Sequence, residues 1–138
     1  MDFTLSVPDL AAERLGNTDT PGVWHFDSGV PGRTLMLSAL VHGNELCGAW
    51  ALKDLLAAGV RPRRGSLTLA FCNLPAFDRF DPARHDASRF VEEDMNRVWS
   101  AERLDNPTSV DRQRAVQLRP WVEPVSYTHL TLPTILLV

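Results

Sequence analysis

Two apolar runs with a helical segment between them constrain this chain more than any other feature. Residues 34–41 (Thr-Leu-Met-Leu-Ser-Ala-Leu-Val) and 66–72 (Ser-Leu-Thr-Leu-Ala-Phe-Cys) are apolar at nearly every position. A strand with one wet face alternates; an unbroken run fits a strand internal to a sheet, with helices on both sides. Between the runs, Leu46, Ala49, Trp50 and Leu56 recur at helical spacing, which predicts a helix over 45–58. Asn44 is the expected N-cap and Gly59 the expected stop. A strand–helix–strand unit of this size joins parallel strands through a right-handed crossover. The expected fold class is therefore α/β, a central sheet flanked by helices. Ligands of such sheets collect beyond the carboxyl ends of the strands, and His42 and Asn73 stand at those two ends.

The rest of the chain is less regular. Residues 23–26 read as a short strand and 28–33 as a turn cluster. Residues 74–108 carry little periodicity and read as one long loop, which in a compact domain is usually functional or disordered. Residues 109–122 read as a helix with Val110, Ala115, Leu118 and Val122 turned inward. A net charge of −3 argues against nucleic acid or an anionic membrane surface as an obligate partner. The start of the chain has no signal-peptide pattern, and no apolar run reaches membrane-spanning length. Cys47 and Cys72 form neither a C-x-x-C pair nor a disulfide framework, so both read as reduced core thiols of a cytoplasmic protein.

Three segments carry candidate chemistry. In His42-Gly-Asn-Glu45, a neutral imidazole and a carboxylate three residues apart sit where a strand turns into a helix. Both can aim at one ion, and that donor set suits zinc. The same pair also fits a plain helix start, with the acid in its favourable first turn. Asn73 precedes Leu74-Pro75, where it reads as a turn former or as support for a nearby loop. Residues 89–97 bring Arg89, Asn96 and Arg97 together, although Glu92, Glu93 and Asp94 could neutralise both guanidinium groups.

Taken in order, these segments resemble the succinylglutamate desuccinylase/aspartoacylase family, relatives of the zinc carboxypeptidases. His42-Gly-Asn-Glu45 is similar to its zinc motif. Asn73-Leu-Pro-Ala76 is similar to its Asn-Pro-x-Ala element, with Leu74 in place of Pro. Arg89 with Asp94-Met-Asn-Arg97 is similar to its substrate-binding stretch, usually Asp-Leu-Asn-Arg. The resemblance covers about residues 34–124 and implies an α/β, zinc carboxypeptidase-like fold, a mixed central sheet flanked by helices, truncated. It implies one Zn2+ held by His42 and Glu45, with Arg89 stabilising the oxyanion and Asn96 and Arg97 binding a substrate carboxylate. The implied activity is hydrolysis of an N-acyl amide bond in a small carboxylate-bearing substrate, such as an N-acyl amino acid. A zinc carboxypeptidase acting on peptides and a non-catalytic binding protein of the same fold are the competing readings. A thiol hydrolase on Cys47 fits poorly, since Cys47 lies in an apolar helix without evident oxyanion donors.

Two family elements are not found. The third ligand is expected as a His in an Asp-x-His element following a helix like 109–122, and a general-base Glu is expected later still. His129, in Tyr127-Thr-His-Leu130, lacks the Asp two residues before it; His25 and His85 read as ordinary histidines. Residues 125–130 can be encoded by GTC-TCT-TAT-ACA-CAT-CTN, which resembles an in-frame transposon-end sequencing adapter. Residues 1–124 are thus expected to be the N-terminal part of the catalytic domain, inactive alone, and 125–138 a non-native tail.

Overall fold

The structure, a computed structural model, describes residues 5–125. Its sheet has three strands: β1 (Val23–Asp27), β2 (Thr34–Ala39) and β3 (Ser66–Phe71), in the order β1-β3-β2. β2 lies parallel to β3, with Leu35 opposite Leu67 and Ala39 opposite Phe71. β1 lies antiparallel on the other side, with Trp24 opposite Leu69. The sheet is mixed, as expected. β3 is buried along its whole length because it has a strand on each side and helices on each face.

β2 departs from the expectation of an internal strand. Among the described residues it pairs only with β3, and Leu35 is 51% exposed. It also ends at Ala39 rather than residue 41. Leu40 takes a left-handed φ of 57°, which breaks the strand while the leucine stays fully buried. A non-glycine residue there costs on the order of 1–3 kcal/mol, and such strain gathers at functional sites. Bonds from Cys72 N–H to Ala39 O (2.8 Å) and from Asn73 N–H to Leu40 O (2.7 Å) hold the turn against β3. His42 is thereby presented just past the end of the sheet.

Side-chain alternation along β3 builds two cores. Leu67, Leu69 and Phe71 pack with Leu46, Ala49 and Leu52 of α1 (Leu46–Ala57) on one face. Ala70 and the adjoining Cys72 pack on the other face with Leu104, Ala115 and Leu118. Leu104 belongs to α3 (Ala101–Asp105), which follows a four-residue α2 (Leu74–Phe77); Ala115 and Leu118 belong to α4 (Val110–Val122).

Several expectations need correction. The N-cap of α1 is Glu45, without a side-chain capping bond, so Asn44 is not the cap; its side-chain oxygen is buried with no hydrogen-bond partner. Gly59 does end the helix, at φ +66°. Cys47 is exposed because it faces away from the sheet, and only Cys72 is a core thiol. Residues 74–108 are not one loop. Side-chain caps at Asn73, Asp94 and Ser100 start α2, a 3-10 turn at Met95–Arg97 and α3, and another 3-10 turn spans His85–Ser88. Elements this short leave no periodicity to read. On α4 the buried positions are Asp111, Arg114, Ala115 and Leu118, while Val110 and Val122 are half-buried at the ends. No helix among the described residues is long and apolar enough to cross a membrane. Residues 126–138, with His129 and nearly all of the expected adapter-derived tail, lie outside the described residues.

Candidate metal and substrate site

The site grows from the strained turn at Leu40. His42 follows it, buried at 3% exposure. Its Nδ1 lies 2.7 Å from Glu45 Oε1, and its backbone N–H donates to Glu45 Oε2 at 3.2 Å. On the other side of the ring, Nε2 lies 2.9 Å from Asp94 Oδ1. Arg89 donates to Asp94 Oδ2 at 3.4 Å. Asp94 also accepts the Asn96 N–H at 2.8 Å, which fixes the turn Met95–Arg97. The segment is tied back to the 42–45 loop by Gly43 N–H donating to Arg89 O at 3.1 Å.

The electrostatics follow from this enclosure. The hydrogen bond to Glu45 raises the His42 pKa; burial opposes the rise, and Asp94 adds to it. Burial works against the charge on Asp94, but hydrogen bonds from His42, the Asn96 N–H and Arg89 leave its carboxyl below the usual range. His42 therefore has a carboxylate against each ring nitrogen. With a proton kept on Nε2 toward Asp94, the Nδ1 lone pair and Glu45 Oε1 converge on one point. A cation could take the place of the second proton at that point. Imidazole with carboxylate suits zinc, and a carboxylate on the far nitrogen is the usual partner of a metal-bound histidine. His42 and Glu45 are two candidate donors; among the described residues, no group of three or more His, Cys, Asp or Glu side chains is arranged to hold a metal ion.

The other expected residues divide. Arg89 joins the His42–Asp94 cluster and is half-exposed. Asn96 joins it through its backbone. Arg97 does not: its guanidinium is exposed and bonds to the Asn96 carbonyl at 3.5 Å. His25 bonds to Thr68 Oγ1 at 2.9 Å and His85 sits beside Asp86, so neither comes to His42. Burial pushes the Cys72 thiol up to about 12, which removes it as a nucleophile. A cavity of about 520 Å³, lined by Leu104, Leu118, Trp99 and Asn96 among others, opens on the α4 side of the sheet. His42, Glu45, Arg89 and Arg97 do not line it, so it is not where the polar groups converge.

Sequence reasoning missed three residues. Asp94 read as a charge balancer, yet it holds His42 Nε2; the requirement of a metal-bound histidine for an outer carboxylate was the available signal. Asp111 and Arg114 were not singled out. Asp111 lies four residues before Ala115, on the same helical stripe, so the spacing already turned it inward. Arg114 donates to Cys72 O (2.5 Å), Phe71 O (2.9 Å) and Pro21 O (2.7 Å), closing the end of β3.

Comparison with known proteins agrees with the motifs. Residues 31–126 match the model of the succinylglutamate desuccinylase/aspartoacylase catalytic domain. The succinylglutamate desuccinylase of Photorhabdus laumondii is 32% identical over 89 residues, covering 62% of this chain and 25% of that protein. The one from Pseudoalteromonas atlantica is 33% identical over 87 residues, covering 59% of this chain and 22% of that protein. The crystal structure of the succinylglutamate desuccinylase from Chromobacterium violaceum shares the fold, with a TM-score of 0.56 at 24% identity over 75% of this chain and 32% of that one. The chain thus spans about a quarter of the length of the curated relatives it matches.

Proposed function

Because this chain belongs to the succinylglutamate desuccinylase/aspartoacylase family, we propose that it supplies part of the active site of a zinc-dependent hydrolase. The substrate is a small N-acyl amide bearing a carboxylate, with N-succinylglutamate the first candidate from the names of its relatives. One observation carries the proposal: His42 Nδ1 and Glu45 Oε1 meet at 2.7 Å while Asp94 engages the opposite ring nitrogen. That arrangement offers two zinc ligands with the outer partner already in place; the third ligand and the general-base Glu are expected outside the described residues.

When bound, zinc supplies Lewis-acid polarisation of the scissile carbonyl and lowers the pKa of an attacking water. The chain's own residues do the rest. Asp94 keeps the Nε2 proton and so the correct His42 tautomer. Arg89 is half-exposed and, among the described residues, its side chain is held by a 3.4 Å bond to Asp94, so it is available to a carbonyl oxygen at little cost. A guanidinium beside a developing oxyanion favours the transition state over the ground state. Arg97, exposed beside Asn96, can grip a carboxylate with two parallel hydrogen bonds. The test is hydrolysis of a panel of N-acyl amino acids by the full-length protein as isolated, after chelation, and after zinc is restored. The proposal expects zinc-restored release of the acyl group. Cleavage of peptides alone would favour the carboxypeptidase reading, and binding without turnover the non-catalytic one.

A further inference from the structure

We propose that Asp111 is a positioning residue, whose carboxylate sets where Arg89, Asp94, Asn96 and Arg97 stand relative to His42. The catalytic consequence rests on the hydrolase reading above; the positional claim does not.

Residues 89–97 carry most of the candidate site, yet they belong to no strand and only their last turn is helical. Their backbone is held mainly by one side chain. Asp111 Oδ1 accepts the Val91 N–H at 3.1 Å, and Oδ2 accepts the Glu92 N–H at 2.7 Å and the Glu93 N–H at 3.0 Å. Three successive N–H groups closing on one anion form a nest that favours full negative charge. The remaining acceptor site takes Asn73 Nδ2 at 2.8 Å. Asn73 stands at the end of β3 and caps α2 with its own oxygen. One fully buried carboxylate thus joins the end of the central strand, the first turn of α4 and the site segment. The helix dipole favours an acid at that first turn.

The connection to His42 is short. Asp94 follows Glu93 directly, so a shift of the 91–93 backbone carries Asp94 away from His42 Nε2. The segment's other ties to α4 are side chains: Glu92 Oε2 accepts the Val110 N–H at 2.6 Å, and Glu93 pairs with Arg112 at 2.9 Å. They cannot satisfy the three N–H groups that Asp111 satisfies. Burial works against the charge on Asp111, but Asn73 and the N–H groups of 91–93 leave its carboxyl below the usual range.

This pattern requires a carboxylate rather than an isosteric amide. Each oxygen of Asp111 accepts two hydrogens. In Asp111→Asn the NH2 group therefore faces two donors whichever way the amide turns. Adding Asn73→Asp relieves part of the clash: the NH2 at 111 meets a carboxylate at 73, and its oxygen keeps Glu92 and Glu93. A swap of this kind discriminates positioning from general loss of packing.

The experiment uses the full-length protein in four forms: wild type, Asp111→Asn, Asn73→Asp and the double variant. It measures amide hydrogen exchange at 91–93 and, for zinc-loaded protein, kcat and KM. Asp111→Asn is expected to speed exchange at 91–93 more than in β3 and to lower kcat/KM about 10–100-fold, the range typical for outer partners of a metal site. The double variant is expected to recover both at least in part. Unchanged exchange at 91–93 in a folded Asp111→Asn overturns the proposal. So does a loss confined to folded fraction, with KM and exchange of the folded molecules unaltered. If Asp111→Asn does not fold, the double variant decides: folding with slow exchange at 91–93 supports the proposal, and no recovery overturns it. If wild type hydrolyses nothing, the hydrolase reading fails, and the exchange comparison still decides the position claim.

Discussion

Gly43→Ala is expected to damage this protein although it adds a single methyl group, because Gly43 is buried in its loop. The glycine is not there for a positive φ. It is there for space: a Cβ at 43 would come within 3.0 Å of the Ala76 carbonyl carbon, the Ser88 oxygen and the Phe77 nitrogen. All three are backbone atoms, so no side chain can rotate away. The loop at 42–45, α2 and the turn His85–Ser88 therefore meet with nothing between them. Overpacking of this kind costs about 1–3 kcal/mol. Separating the loops also strains the Gly43 N–H to Arg89 O bond of 3.1 Å, worth about 0.5–1.5 kcal/mol. The expected sum is about 1.5–4.5 kcal/mol of destabilisation. A Gly→Ala change with room for the methyl would instead stabilise by about 0.4–1 kcal/mol, so even the sign is diagnostic. Urea unfolding of the full-length protein reads it: with a slope near 2 kcal/mol per molar, the midpoint should fall by about 1–2 M. A midpoint equal to or above wild type would refute the close three-way packing on which the position of His42 depends.

Other expectations concern charge. Arg97→Ala should chiefly raise KM, because carboxylate binding is shared by ground and transition states, while Arg89→Ala should chiefly lower kcat. Each change should amount to about 1.5–3 kcal/mol; equal small effects on both would return 89–97 to a solvated, charge-balanced loop. Asp94→Ala should weaken zinc about 10–100-fold in a competition titration, since His42 loses its outer partner, and an unchanged dissociation constant would contradict that role. For metal-free protein, the raised His42 pKa, due first to Glu45, contributes stability that is full below about pH 6.5 and lost as pH rises through the folded value. Asp94, held below the usual range, contributes above about pH 3.9, and that part is lost as pH falls through its folded value. The urea midpoint of metal-free protein should therefore decline from about pH 6 toward pH 9; a rise would contradict the cluster.

The elements legible in the sequence were those long enough to show a period. β3 and α1 announced themselves by apolar spacing, and the parallel pairing of β2 with β3 followed from the strand–helix–strand order. β2 was legible as a strand but not as an edge, because an apolar run looks the same whether or not a second neighbour lies beside it. Its early end at Leu40 was not legible, since a left-handed leucine contradicts local preference. Residues 74–108 escaped because their order comes from a distance. Asn73, Asp94 and Ser100 cap short turns, and the carboxylate of Asp111 pins 91–93 from a helix near the end of the described chain. That His42 and Glu45 share the corner between β2 and α1 was legible from position, whereas Asp94 needed the fold to bring it 2.9 Å from His42.

The most direct measurement is the zinc content of the full-length protein by elemental analysis, for wild type, His42→Ala and Glu45→Ala, each confirmed folded by near-ultraviolet circular dichroism. The account predicts about one equivalent per chain in wild type and loss of stoichiometric zinc in both variants, because each removes one of the two converging ligands. A full equivalent retained by either folded variant would contradict the claim that His42 and Glu45 together hold the ion.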